Sequence, residues 1–262
     1  MIVDGNSIVN RAFYGIRMLT NADGMYTNAI YGFLNILFKY LDGEKPDGLC
    51  VAFDLSAPTF RHKQFDAYKA NRKGMPEELK QQMPVLKEVL AAMNVKMLSL
   101  EGYEADDIIG TVSRKCDEDG IRCIILTGDK DDLQLASDNT VIKLVTTKKG
   151  SNETVDYDRE RFIKDYGINP SEFIDVKGLM GDSSDNIPGV SGIGEKTAFA
   201  LIKEFKSIEN LYENLESPSI KTAAKKKLSE GKDSAFLSKQ LAAIDRNVPI
   251  ETDVSMWNIK EY

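Results

Sequence analysis

The chain has 262 residues, 42% of them hydrophobic and 29% charged, and carries a net charge of −7 at pH 7. That length suffices for one large domain, or one domain with a smaller companion, at the composition of an ordinary globular protein. No run of about 18 apolar residues offers a membrane span, MIVDGNSIVNR lacks the basic-then-apolar order of a secretion signal, and a single histidine, His62, excludes multi-histidine zinc sites and makes Ser-His-Asp or Cys-His catalysis a poor bet.

MIV at the start predicts a short buried strand. Apolar spacing predicts helices over 6–16 and 28–41, the second with Ile30, Phe33, Leu34 and Leu37 on one side. GLCVAF (48–53) predicts a strand, and 58–93 a long, charged, largely helical stretch broken near Gly74 and Pro76. VKMLSL (95–100) is a strand that leads through GYEADD into a helix with the apolar body IIGTV. IRCIILT (121–127) is a strand, 131–136 a short helix and VIKLV (141–145) another strand. Beyond about residue 157 the strand signals stop, and 159–166, 170–180, 195–205, 208–215 and 220–241 read as helices. Alternating strands and helices imply an α/β fold with a mostly parallel central sheet flanked by helices over 1–156. A smaller helical region follows over 157–262. The tail VSMWNIKEY gives no packing or capping signal. Cys50, Cys116 and Cys123 have no CxxC spacing and read as buried reduced thiols, which points to the cytoplasm.

Each strand of the first part runs into acids: MIV into Asp4, GLCVAF into Asp54, VKMLSLEGY into Glu104, Asp106 and Asp107, and IRCIILTG into Asp129 and Asp131. Ligands of open α/β sheets bind beyond the carboxyl ends of the strands, so four segments deliver carboxylates to one edge. Crowded carboxylates repel unless cations compensate, and oxygen-only donors favour hard ions such as Mg²⁺ or Mn²⁺. A cluster of this size can hold two ions, a recurrent device for phosphodiester hydrolysis. In the helical part, LMGDSSDNIPGVSGIGEKTA (179–198) adds Asp182 and Asp185, then a glycine-rich hairpin at Gly189, Gly192 and Gly194 before Lys196 opens a helix. Such a hairpin can aim backbone N–H groups at phosphate, a grip that positions DNA without reading its bases.

IVDGNS, VAFD, GYEADD, LTGDKD and LMGDSSDNIPGV-GIGEKTA stand in the order and spacing of one family. The sequence resembles, over essentially its whole length, the N-terminal 5′ nuclease domain of bacterial DNA polymerase I, of the flap endonuclease family. The resemblance implies a PIN-like flap nuclease fold and a Mg²⁺-dependent, structure-specific 5′ nuclease for flapped or nicked duplex DNA, with Mn²⁺ able to substitute. It implies that Asp4, Asp54, Glu104 and Asp106 surround a first metal, and that Asp107, Asp129, Asp131, Asp182 and Asp185 lie around or near a second. On the helix after GYEADD, we expect Glu104 and Asp106 to reach the first ion while Asp107 leans toward the second.

The resemblance further implies a helical arch at about 58–94, in which Lys69 and Arg72 contact the scissile phosphate, Tyr68 stacks nearby and Arg61, Lys63 and Lys73 add basic groups. Arg11 would face the active site. The hairpin would be part of a helix–hairpin–helix at about 176–206 that holds duplex DNA, with a K⁺ ion bridging to phosphate and Lys196, Lys221 and Lys225, Lys226 and Lys227 extending the surface. Setting aside the nine acids, the rest of the chain turns net positive, as a DNA-facing surface requires. The chain is expected to be a monomer without membrane association, and either one part of a longer polymerase or a stand-alone nuclease. The alternative function is a DNA-junction binding module that does not cut.

Overall fold

The computed structural model describes residues 1–148 and 151–259. Among the described residues, six strands form one sheet in the order β3-β2-β1-β4-β5-β6. β1 (Ile2–Asp4) lies at its centre and pairs in parallel with β2 (Cys50–Ala52) on one side and β4 (Cys123–Thr127) on the other. β3 (Lys96–Leu98) extends the sheet beyond β2, and β5 (Thr140–Lys148) extends it beyond β4, both in parallel. The fold class is thus the one the sequence implies. β6 (Ser151–Tyr157), which the sequence reading did not anticipate, closes the edge antiparallel to β5. Its residues SNETVDY alternate polar groups with few apolar ones, so it carries little hydrophobic signal; the pairing with β5 supplies its order.

The chain leaves β1 toward β2 and β3 and returns to β4 on the other flank, so a topological switch point opens between β1 and β4. α1 (Gly5–Gly15), α2 (Asn28–Glu44), α3 (Phe60–Gln64), α4 (Glu77–Lys80) and α5 (Gln82–Ala92) precede β3. Ile8, Phe13, Phe33, Leu37, Leu86 and Leu90 from α1, α2 and α5 pack with the strand residues Val3, Val51 and Leu126 in one core. The alternate strand residues Ile2, Cys50 and Ile125 face the other way, onto Ile108, Ile109 and Val112 of α6 (Ala105–Asp119). That second core continues into the helical region: α7 (Arg159–Tyr166), α8 (Phe173–Met180), α9 (Glu195–Phe205), α10 (Ile208–Glu213), α11 (Thr222–Glu230) and α12 (Lys232–Ala242).

The long helical stretch expected over 58–93 is instead three short helices, α3, α4 and α5, with turns through 66–71 between the first two. Tyr68 and Phe65 are drawn into a small apolar cluster with Ile187, Leu241 and Ala242, and that tertiary contact overrides continued helix. The tail does have a packing role: Trp257 is 7% exposed, and Leu49 N–H donates to its carbonyl at 2.9 Å. Residues 260–262 of the tail lie outside the described ones. All three cysteines are buried and free. Among the described residues, no helix is long and apolar enough to cross a membrane.

Candidate metal centre and nucleic-acid interface

Asp4 ends β1 and caps α1, its Oδ1 accepting from Ser7 N–H at 3.0 Å; its Oδ2 accepts from the Thr127 hydroxyl at 2.9 Å. Asp54 follows β2 and accepts from Ala105 N–H at 2.7 Å, so it caps α6 from outside. Asp106 lies in the first turn of α6. After β4 the chain enters a 3-10 turn (Asp131–Leu135), with Asp131 N–H donating to Asp129 at 2.9 Å. Carboxylate oxygens of Asp4, Asp106 and Asp132 all lie within 4.8 Å of one another at the switch point.

Electrostatics follow from this crowding. Burial pushes the Asp4 carboxyl up to about 7, and the charges of Asp129 and Asp54 add to it. Burial and the neighbouring Asp132 and Asp4 raise Asp106 well above the carboxylate range. Burial and Asp129 raise Asp131 to about 6, against the pull of Lys177.

A second group of acids is neutralised by side chains. The Lys177 ammonium bridges Asp131 and Asp182. Burial would raise Asp182, but Lys177 and Ser184 outweigh it and hold the carboxyl at about 2. Lys69 Nζ lies 2.7 Å from Glu104 and 3.6 Å from Asp185, which also pairs with Arg72. Tyr68 is buried, its hydroxyl donating to Glu104 at 3.1 Å. In this arrangement its ring packs in the protein and is not presented for stacking. The segment is latched to the loop after α8: Lys69 N–H donates to the Asp185 carbonyl at 2.9 Å, and Asn186 donates to the Ala67 carbonyl at 2.7 Å.

Two expected assignments are corrected by the geometry. Asp107 does not lean toward the second acid group. It is fully buried, and both its oxygens are taken: Arg61 binds them bidentately at 2.8 and 2.7 Å, Glu104 N–H donates to one at 3.0 Å and Asp245 N–H to the other at 2.8 Å. Arg61 is correspondingly not a surface group for phosphate. It is 2% exposed and also donates to the carbonyls of Leu241 and Ala243 at 2.9 and 2.6 Å. The pair ties α3, α6 and the chain after α12 together.

Of the remaining basic candidates, Lys63, Arg72 and Lys73 are exposed, and Arg11 lies against the loop after β4, its Nη2 3.4 Å from the Gly128 carbonyl. In the hairpin between α8 and α9, Gly189 is buried at φ +63°, while Gly192 (φ +77°), Gly194 and Lys196 are exposed at the N-terminal end of α9. Lys227 donates to the Gly192 carbonyl at 3.0 Å, which brings α11 to the hairpin.

A family model described as 5′-3′ exonuclease, N-terminal resolvase-like domain, matches residues 1–167; a second, 5′-3′ exonuclease, C-terminal SAM fold, matches residues 168–262. The chain belongs to the 5′-3′ exonuclease family. The resemblance read from its motifs therefore holds. DNA polymerase I of Bacillus subtilis is 48% identical over 255 residues, covering 97% of this chain and 29% of the relative. That of Caldicellulosiruptor bescii is 45% identical over 262 residues, covering 100% and 31%. The chain thus spans under a third of the length of these relatives. Zinc-bound T5 5′-exonuclease shares the fold with a TM-score of 0.76 at 23% identity, covering 94% of this chain and 89% of that one. The catalytic core of Rad2 in complex with DNA substrate follows at 0.60 and 18%, covering 97% and 79%.

Two side chains of this exonuclease-family site escaped the sequence reading. Lys177 stands five residues before Asp182 on a helix whose register relative to the sheet no local pattern reveals. Asp132 adjoins Asp131 in GDKDD, and a second acid at a helix start reads as an ordinary favourable partner of the helix dipole.

Proposed function

We propose that the chain is a structure-specific, Mg²⁺-dependent 5′ nuclease. It would hydrolyse phosphodiester bonds at 5′ ends and 5′ flaps of branched or nicked DNA, as in primer removal and repair. The observation that carries this reading is the set of three carboxylates within 4.8 Å at the switch point, overlooked by the Lys69 and Arg72 segment. The donors are all oxygen, their charges are uncompensated among themselves, and the cluster therefore fits a hard divalent cation. Asp4 and Asp106 would hold one ion, with Asp54 and Glu104 beside it. Asp129, Asp131, Asp182 and Asp185 would serve a second in a two-metal arrangement, once Lys177 and Arg72 give up their carboxylate partners to it. Bound there, the ions supply a hydroxide nucleophile and stabilise the charge that develops at phosphorus.

The chain's own groups do the rest. Lys69 and Arg72 hold the phosphate at the edge, exchanging their carboxylate partners for it. Tyr68 leaves its Glu104 contact when the segment admits a strand. Gly192, Gly194 and Lys196 would offer the start of α9 to the duplex backbone, where a K⁺ ion would add positive charge for the phosphates. The identity of the relatives supports covalent linkage to a polymerase region and work in the cytoplasm, and the neighbour solved with DNA substrate supports a DNA partner.

The test is a labelled 5′-flap duplex incubated with and without Mg²⁺. Cleavage near the flap junction is expected with the ion, and none in EDTA or with Asp106→Asn. Tight flap binding without turnover under any divalent metal would favour the junction-binding alternative.

A further inference from the structure

Asp132 is fully buried, and neither of its carboxylate oxygens has a hydrogen-bond partner among the described residues. The Thr127 hydroxyl, close enough to draw on it, has one proton and donates it to Asp4. The N–H groups of its own 3-10 turn do not satisfy it, so a favourable helix start does not account for its place. Buried polar groups in folded proteins are almost always paired, and an unpaired carboxylate is among the costliest exceptions. A leucine here would bury without that cost, as Leu133 and Leu135 of the same turn do.

The side chain is not turned into apolar core. One of its oxygens lies within 4.8 Å of one oxygen of Asp4 and one of Asp106. Adjacent residues of one turn therefore have different neighbours: Asp131 meets Lys177, which also holds Asp182, and Asp132 meets Asp4 and Asp106. The first acid group has no ammonium like that of Lys177 bonded to Asp132. We propose that Asp132 is a metal-holding carboxylate of the Asp4–Asp106 centre, and that a divalent cation is the partner its burial requires. The inference rests on the metal-centre reading above and adds to it a donor that none of the matching motifs led us to expect.

The test needs no substrate. Mn²⁺ alone is titrated into the full chain by calorimetry, and thermal unfolding is followed in EDTA and in Mg²⁺, for the parent, Asp132→Asn, Asp132→Leu and Asp106→Asn. We expect both Asp132 variants to bind Mn²⁺ about 10- to 100-fold more weakly, to unfold in EDTA at or above the parent temperature, and to gain less from Mg²⁺. The asparagine keeps the shape of the side chain, so a folding defect confined to the leucine variant leaves the reading decided. Parent-like Mn²⁺ affinity in both Asp132 variants, with Asp106→Asn weakened, overturns the role of Asp132 alone. Parent-like affinity in all three overturns the metal centre with it.

Discussion

At the scale of single residues, neighbouring acids in GYEADD do unlike work. Asp106 joins the centre with Asp4 at the end of β1, whereas Asp107 is bound into the interior by Arg61 and by two backbone N–H groups. A bidentate, fully buried pair is strongly destabilising to break from one side, because the other charge is left without compensation. Arg61→Met should therefore lower unfolding stability by about 3–5 kcal/mol in urea titration. Arg61→Met combined with Asp107→Leu should recover much of that loss. A single variant as stable as the parent would show that the pair contributes nothing. The sequence could not reveal this pairing: Arg61 sits in a run with Lys63, Lys69, Arg72 and Lys73, and only the docking of α3 against α6 separates a structural guanidinium from basic groups at the surface. The acids Asp4, Asp54 and Asp106 were legible because each ends or follows a strand or starts a helix, positions that local pattern does mark.

At the scale of elements, the hairpin between α8 and α9 shows which glycines hold shape. Gly189 has φ +63°, and a Cβ there would stand 2.3 Å from the Gly181 nitrogen, where backbone must move. Gly192 has φ +77° but its added Cβ meets the mobile end of Lys227 at 2.7 Å, which can swing aside. Both variants to alanine incur left-handed strain of roughly 1–2 kcal/mol. Gly189→Ala should add a backbone clash and lower the melting temperature clearly further than Gly192→Ala, as calorimetric melting would report. Equal shifts would mean that the hairpin backbone yields freely. Helices α7 and α9 coincide with their predicted spans because apolar periodicity marks both, and at the start of α7 a cap agrees with it, the Asp158 side chain accepting from Arg161 N–H. The segment after α3 failed that test because its order comes from contacts with 183–187, distant in sequence.

At the scale of the whole molecule, the strand order brings one set of uncompensated acids and one set of paired acids to the same edge, and Asp182 of the paired set responds to pH in the opposite sense to the other buried acids. Asp4, at about 7, and Asp131, at about 6, lie above the value of about 4 expected in an unfolded chain, and Asp106 and Asp132 are raised as well. Between roughly pH 4 and 7 the folded form thus holds protons that the unfolded chain releases, and stability without metal falls as pH rises through that window. Asp182, held at about 2, contributes stability that is lost only as pH drops through about 4 toward its folded value. In EDTA, the melting temperature should therefore decline from about pH 5 to about pH 8. Mg²⁺ should raise it more at the upper end, since only ionised carboxylates bind the ion. A melting temperature in EDTA that climbs over the same interval would mean that the buried acids at the switch point keep ordinary pKa values. The uncompensated charge on which the metal reading rests would then be absent.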